Sequence, residues 1–150
     1  MDRVAVLMPL IVGSGAFAVT IVIHGAAVTA NLRFIRHERR VGVVGVSFWL
    51  DLRIVATTVL LALVAHLIEI GVWGLLLVLI GEFRELGIAF YHSAMNYTSL
   101  GYGDIVMTPA WKMLGPFEAT NGLLMFGVST AMIFTVIHRL AETRFPDLRD

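Results

Sequence analysis

Residues 98–104 read TSLGYGD and separate two long apolar stretches of the chain. Gly101 and Gly103 stand two positions apart, and glycine adopts a positive φ without steric cost. An ordinary strand alternates its carbonyl directions, so pointing successive carbonyl oxygens at one axis requires residues that accept positive φ. Rings of such oxygens can replace the water shell of a cation. The spacing predicts left-handed residues at 101 and 103, as such a loop requires, and the flanking sequence decides the fold.

The flanking sequence is typical of a membrane protein, with 58% hydrophobic and only 15% charged residues. Residues 4–32 contain no Asp, Glu, Lys or Arg, residues 54–81 contain only Glu69, and residues 119–137 contain none. Since about 20 apolar residues cross a bilayer core, these stretches predict three transmembrane helices. The chain has no cysteine, so disulfides and thiolate metal sites are excluded.

The region 82–112 lies between the second and third spans and is too polar at its ends to cross a membrane. Its apolar middle, residues 87–98, holds about a dozen residues, which favours a re-entrant segment over a span. Residues 86–98 contain no proline and suit a short helix. The negative end of its dipole would face the membrane centre and favour a cation.

The distribution of basic residues predicts the orientation. Eight of the eleven Lys and Arg residues follow the first or the third span: Arg33, Arg36, Arg39, Arg40, Arg53, Arg139, Arg144 and Arg149. The positive-inside rule places both groups in the cytoplasm. We therefore expect an external N-terminus, an external 82–112 region and a cytoplasmic C-terminus. The spacing of Arg33, Arg36 and Arg39 also occurs in voltage sensors, but here it favours a cytoplasmic anchor.

The heptapeptide strongly resembles TTVGYGD, the selectivity-filter signature of the potassium-channel pore family. The resemblance covers roughly residues 53–140, with serine at position 99 and leucine at position 100 as its departures. It implies an all-α membrane protein in which four identical chains form a central pore. The expected parts are an N-terminal transmembrane helix 1–32, a basic cytoplasmic connector 33–52, a pore domain 53–140 and a cytoplasmic tail 141–150. Within the pore domain we expect an outer helix 53–81, a pore helix 86–98, a filter 99–104 and an inner helix 110–140.

The resemblance also implies roles for individual residues. K⁺, as the transported ion, would be coordinated at Ser99, Leu100, Gly101 and Tyr102, with Gly103 completing the ion path. Thr98, Asp104, Tyr91 and Glu118 would support this filter. Tyr91 would either donate a hydrogen bond to Asp104 or serve as a plain interfacial aromatic. Glu118 would bond to the back of a pore helix in its own or a neighbouring chain.

The inner helix offers candidates for gating. Gly122 and Gly127 would act as a hinge or would simply permit close helix packing. Phe134 is the candidate for a hydrophobic constriction. It belongs to a stripe at helical spacing that would line a cavity or pack against neighbours: Leu123, Gly127, Thr130, Phe134 and Ile137 or His138.

The predicted function is passive K⁺ conduction across the plasma membrane by a homotetramer. We expect no enzyme activity, no organic cofactor and no nucleic-acid partner; the partners are the lipid bilayer and the ions. One alternative is a nonselective cation channel with the same architecture. The other is a membrane hydrolase or metal-binding protein that uses His66 and Glu69, which share a helix face and would otherwise form a buried structural pair.

Overall fold

The computed structural model of the chain describes residues 3–145, and side chains from residue 6 onward. This range contains four helices and no strand. The helices are α1 (Arg3–Val41), α2 (Phe48–Leu79), α3 (Leu86–Tyr97) and α4 (Leu114–Arg144).

Three of these helices are long and apolar enough to cross a membrane. The candidate spans are Val6–Val41, Phe48–Leu79 and Leu114–Arg144. By contrast, α3 has 12 residues. At 1.5 Å per residue it is about 18 Å long, which is shorter than the bilayer core of about 30 Å.

The helix ends differ from the predicted boundaries. α1 does not end near residue 32 but continues to Val41, so most of the expected basic connector is helical. The connection shrinks to residues 42–47, where Gly42 and Gly45 both have a φ of +76°. A helix continues until a residue stops it, and the left-handed Gly42 supplies that stop here. Residues 1, 2 and 146–150 of the expected terminal segments lie outside the described residues.

The other two long helices also shift. α2 begins at Phe48 rather than 53, because Ser47 caps it by accepting a hydrogen bond from the Leu50 amide at 3.3 Å. The third long helix runs from Leu114 to Arg144 rather than from 110 to 140. Residues 109–113 form turns instead of its first helical turn.

The short α3 packs between α2 and α4, where the main core lies. A Cβ at Gly74 would stand 3.1 Å from the backbone nitrogen of Phe90, so this glycine permits close contact between α2 and α3. Trp73, Tyr97 and Leu114 are completely buried around this contact. Lipid tails are themselves apolar, so burying an apolar side chain between helices gains little over leaving it in lipid. Close van der Waals packing of small and aromatic residues holds membrane helices together instead.

The first helix packs against α2 and α4. Thr20 donates a hydrogen bond to the Asn121 side-chain oxygen at 2.9 Å, and the Trp73 indole donates to the same oxygen at 2.8 Å. Thr58 donates to Asn31 at 3.0 Å. These polar contacts make α1 an integral part of the folded unit.

Candidate functional site

In the loop after α3, every second residue has a positive φ. Ser99, Gly101 and Gly103 have φ values of 59°, 56° and 77°. Its start is tied to the helix, since the Ser99 amide donates to the Asn96 carbonyl at 2.8 Å and the Gly101 amide donates to the Met95 carbonyl at 3.0 Å. Positive φ at every second residue is the feature expected of a loop that turns its carbonyls toward one side.

Ser99 is the part of this pattern that the sequence did not predict. A non-glycine residue in the left-handed region is strained by roughly 1 kcal/mol or more. Its place explains the conformation, because Thr98 caps α3 and Ser99 is the next residue. Helices often end with a left-handed residue at that position. The end of α3 was therefore the signal that could have identified Ser99.

The loop is exposed in the single chain. All residues from 98 to 104 are exposed, with 62% of Leu100 and 74% of Tyr102 accessible. The Tyr102 ring is therefore largely free of its own chain. Large apolar side chains left open in this way indicate a surface that other molecules cover.

Three of the expected supporting residues make hydrogen bonds at the loop. The Tyr91 hydroxyl donates to Asp104 Oδ2 at 2.9 Å. This bond raises the pKa of Tyr91, because ionising the phenol would break it and place two negative charges side by side. The Thr98 hydroxyl donates back to the Ala94 carbonyl at 2.6 Å, so it satisfies the end of α3.

Glu118 lies behind the loop and is completely buried. Its Oε2 accepts a hydrogen bond from the Asn96 amide of α3 at 3.4 Å. Asn96 also contacts His92 Nε2, on the same helix, at 2.9 Å. The contact between Asn96 and Glu118 therefore joins α3 to α4 within the single chain.

The three gating candidates occupy different environments. A Cβ at Gly122 would overlap the backbone carbonyl oxygen of Tyr97, so Gly122 permits close approach of α4 to α3. A Cβ at Gly127 would meet nothing within 4 Å. Phe134 is 67% exposed and lies on the same open face of α4 as Leu123, which is 61% exposed. The predicted stripe is thus unpacked within the single chain.

His66 and Glu69 contact each other at 3.3 Å, and His24 from α1 joins them. Its Nδ1 lies 2.9 Å from Glu69 Oε1. The sequence did not pair His24 with this acid. The signal that could have found this pair is the position of Glu69 inside a span, where an ionisable residue needs a partner. The three side chains are at most 6% exposed and hydrogen-bonded to one another, an arrangement that leaves no open face for the substrate of a hydrolase.

A family model described as an ion channel matches residues 53–139. The matched region is more than half of the chain and includes nearly all of α2, the whole of α3, the TSLGYGD loop and most of α4. α1 lies outside it. No curated protein and no solved structure matches this chain significantly.

Proposed function

Because this chain belongs to the ion-channel family of potassium-channel pore domains and is a multi-pass membrane protein, we propose that it conducts K⁺ passively through a central pore. One observation carries the proposal. The TSLGYGD loop lies in the matched region and has positive φ at Ser99, Gly101 and Gly103. That backbone suits a single-file path of carbonyl oxygens that replace the hydration shell of K⁺.

In this proposal the ion path follows the carbonyls of Ser99, Leu100, Gly101 and Tyr102 and ends at Gly103. α3 ends at the inner side of the loop, where the partial negative charge of the helix C-terminus favours a cation. Because α3 is too short to span the bilayer and is followed by this loop, it would form a re-entrant pore helix.

Four copies would complete the pore, since one chain supplies one face of the ion path. The exposure of the loop and of the Leu123 and Phe134 face of α4 supports this assembly, because both carry large apolar side chains that are open in the single chain. Phe134 would then form the narrow part of the inner pore. Gly127 remains the hinge candidate, whereas the tight packing of Gly122 argues against bending there.

The test is a K⁺ flux assay with purified protein in liposomes. We expect K⁺ flux that Ba²⁺ blocks, a tetrameric mass in detergent, and a reversal potential in mixed K⁺ and Na⁺ that follows the K⁺ gradient. Equal permeability for the two ions would instead establish the nonselective channel. Absence of any cation flux would overturn the proposal.

The proposed orientation has an external N-terminus and a cytoplasmic C-terminus in the plasma membrane. Arg33, Arg36, Arg39 and Arg40 lie on the last turns of α1, which the positive-inside rule keeps in the cytoplasm. Since the chain contains no cysteine, single cysteines report position without background. On intact cells an impermeant thiol reagent should label a cysteine at Arg84 and spare one at Val46; both positions are exposed. The reverse labelling would overturn this orientation.

A further inference from the structure

Five polar side chains from all four helices meet behind the loop. They are His24 of α1, His66 and Glu69 of α2, Tyr97 of α3 and Ser129 of α4, and each is at most 6% exposed. Polar groups buried in a membrane protein are costly unless they are paired. We define these five residues as the polar cluster.

Glu69 is the centre of the polar cluster. Its Oε1 lies 2.9 Å from His24 Nδ1, and its Oε2 lies 3.3 Å from His66 Nδ1 and also accepts from the Tyr97 hydroxyl. Ser129 closes the arrangement into a ring on the other side. Its hydroxyl oxygen lies 3.0 Å from His66 Nε2 and 3.3 Å from His24 Nε2.

These contacts can be compared with the hydrogens available. Five contacts connect the side chains: three at Glu69 and two at Ser129. With Glu69 ionised and both imidazoles neutral, His24, His66, Tyr97 and Ser129 supply one hydrogen each. One contact is then left without a hydrogen. The further approach of His66 Nδ1 to the Tyr97 hydroxyl, at 3.2 Å, draws on hydrogens already counted.

A single added proton fills the missing contact. One imidazole then donates through both nitrogens, Ser129 accepts from that ring, and Ser129 donates to the other ring. The same proton cancels the carboxylate charge, so the polar cluster becomes neutral overall. Both effects favour the protonated form in a low-dielectric interior, where unpaired polar groups and net charge are costly.

The polar cluster is directly connected to the candidate ion path. Tyr97 is the last residue of α3, and Ser99, the first expected K⁺ ligand, is two residues further along the chain. Movement of the Tyr97 ring would therefore be transmitted to the start of the loop. His24 brings α1 into this connection, although α1 lies outside the region shared with the channel family.

We propose that the polar cluster is a one-proton binding site through which His24 and Glu69 hold Tyr97 and thereby keep the loop in its conducting form. His24 and Glu69 act as positioning residues, since they reach the ion path through Tyr97. Loss of the proton at high pH leaves one contact empty and a net negative charge, which loosens Tyr97 and lowers conduction. This inference rests on the proposed function.

Other groups face the same site and have to be distinguished from it. Among the described residues, His24 is the titratable group on α1, His66 and Glu69 are those on α2, and Tyr97 is that on α3. On α4, Ser129 does not titrate in this range, but Glu118 is a second carboxyl close enough to act on Tyr97. The test therefore has to assign any pH response to the polar cluster rather than to Glu118.

Two substitutions are expected to remove the need for the extra proton. In His24→Asn the amide donates to Glu69, and the four remaining contacts match four hydrogens. In Glu69→Gln the amide donates to His24, whose other nitrogen then donates to Ser129, so five contacts match five hydrogens. In both variants every contact has its hydrogen without titration, and Glu69→Gln is also neutral. Both substitutions keep polar contacts, which favours folding.

The experiment measures K⁺ flux into liposomes with the same pH on both sides, from pH 5 to pH 10. Wild-type flux should fall roughly tenfold across one step as the pH rises, the effect of losing one buried hydrogen bond. His24→Asn and Glu69→Gln should conduct at the acidic wild-type level and lose the step. His37→Asn, at an exposed position of the same helix, is the control and should retain it.

The thermal stability of the tetramer in detergent gives a second readout that is independent of conduction. The wild type should lose thermal stability as the pH rises across the same step, whereas neither variant should. A wild-type profile that does not change with pH in either measurement overturns the inference. A pH step that persists in both variants also overturns it, and would assign that step to Glu118. A transition metal retained at one per chain after chelation also overturns it. Flux without the step refutes only this inference, whereas absence of flux at every pH refutes the proposed function.

Discussion

The segment from Tyr97 to Asp104 is held very differently at its two ends. Tyr97 is completely buried and its hydroxyl is bonded to Glu69, whereas Leu100 and Tyr102 are 62% and 74% exposed. The buried end is specified by contacts within one chain. The exposed end carries the left-handed residues but has few neighbours to hold them. The contacts of a single chain therefore hold the start of the proposed ion path and leave the remainder of that path open.

The largest expected effect comes from the exposed end. Gly101→Ala and Gly103→Ala add a Cβ where φ is 56° and 77°, which costs about 1 kcal/mol or more per subunit and is repeated in every copy. We expect K⁺ flux to vanish while the tetramer still assembles, because the loop lies outside the buried core.

Gly87→Ala is the matched control for these glycines. Gly87 lies within α3, and a Cβ there would meet nothing within 4 Å. Alanine is a better helix former than glycine, so stability should stay the same or rise slightly. Liposome flux and size-exclusion chromatography measure both properties. Near-normal flux in either loop variant would mean that these glycines do not shape the ion path.

The next effect concerns the buried end, at the contact between Gly122 and the Tyr97 carbonyl. Gly122→Ala forces a Cβ into that oxygen, and overpacking of this kind typically costs about 1–3 kcal/mol. We expect lower thermal stability and reduced flux together. In contrast, Gly127→Ala has open space and should leave stability unchanged.

This pair also separates the two roles considered for the inner-helix glycines. A loss of flux in Gly127→Ala at normal stability would identify a hinge at that position. Wild-type stability in Gly122→Ala would contradict the close packing of α4 on α3.

A smaller effect is expected at Glu118, which links α4 to Asn96 of α3. Glu118→Gln retains an acceptor for the Asn96 amide and should conduct with nearly normal stability. Glu118→Ala leaves one hydrogen of the part-buried Asn96 amide without an acceptor and should destabilise the tetramer by about 1–3 kcal/mol. Thermal unfolding of the two variants in one detergent makes the comparison. Equal stability of the wild type, Glu118→Gln and Glu118→Ala would show that the contact between Glu118 and Asn96 does not stabilise the tetramer.

The smallest effect is expected at the exposed pair of Tyr91 and Asp104. Tyr91→Phe removes one hydrogen bond that water can partly replace, so its cost should be at most about 1 kcal/mol. A double-mutant cycle with Asp104→Ala isolates the pair. We expect a positive coupling of a few tenths of a kcal/mol in tetramer stability. Additive effects of the two substitutions would identify Tyr91 as a plain interfacial aromatic.

Local properties of the sequence determined much of this protein. The lengths of the apolar stretches determined three membrane-spanning helices, because spanning depends on the number of consecutive apolar residues. The glycine spacing predicted left-handed residues at 101 and 103, since only glycine adopts that conformation without cost. The matched channel family agrees with the resemblance of the TSLGYGD segment.

The tertiary structure alone decided which distant residues meet. His24 and Glu69 are 45 positions apart, and nothing in the local pattern of either residue names the other. The left-handed Ser99 and the crowding at Gly122 likewise depend on where α3 ends and on how closely α4 approaches it. Local spacing predicts the shape of a segment, but a contact also requires the relative positions of whole helices, which packing between them sets.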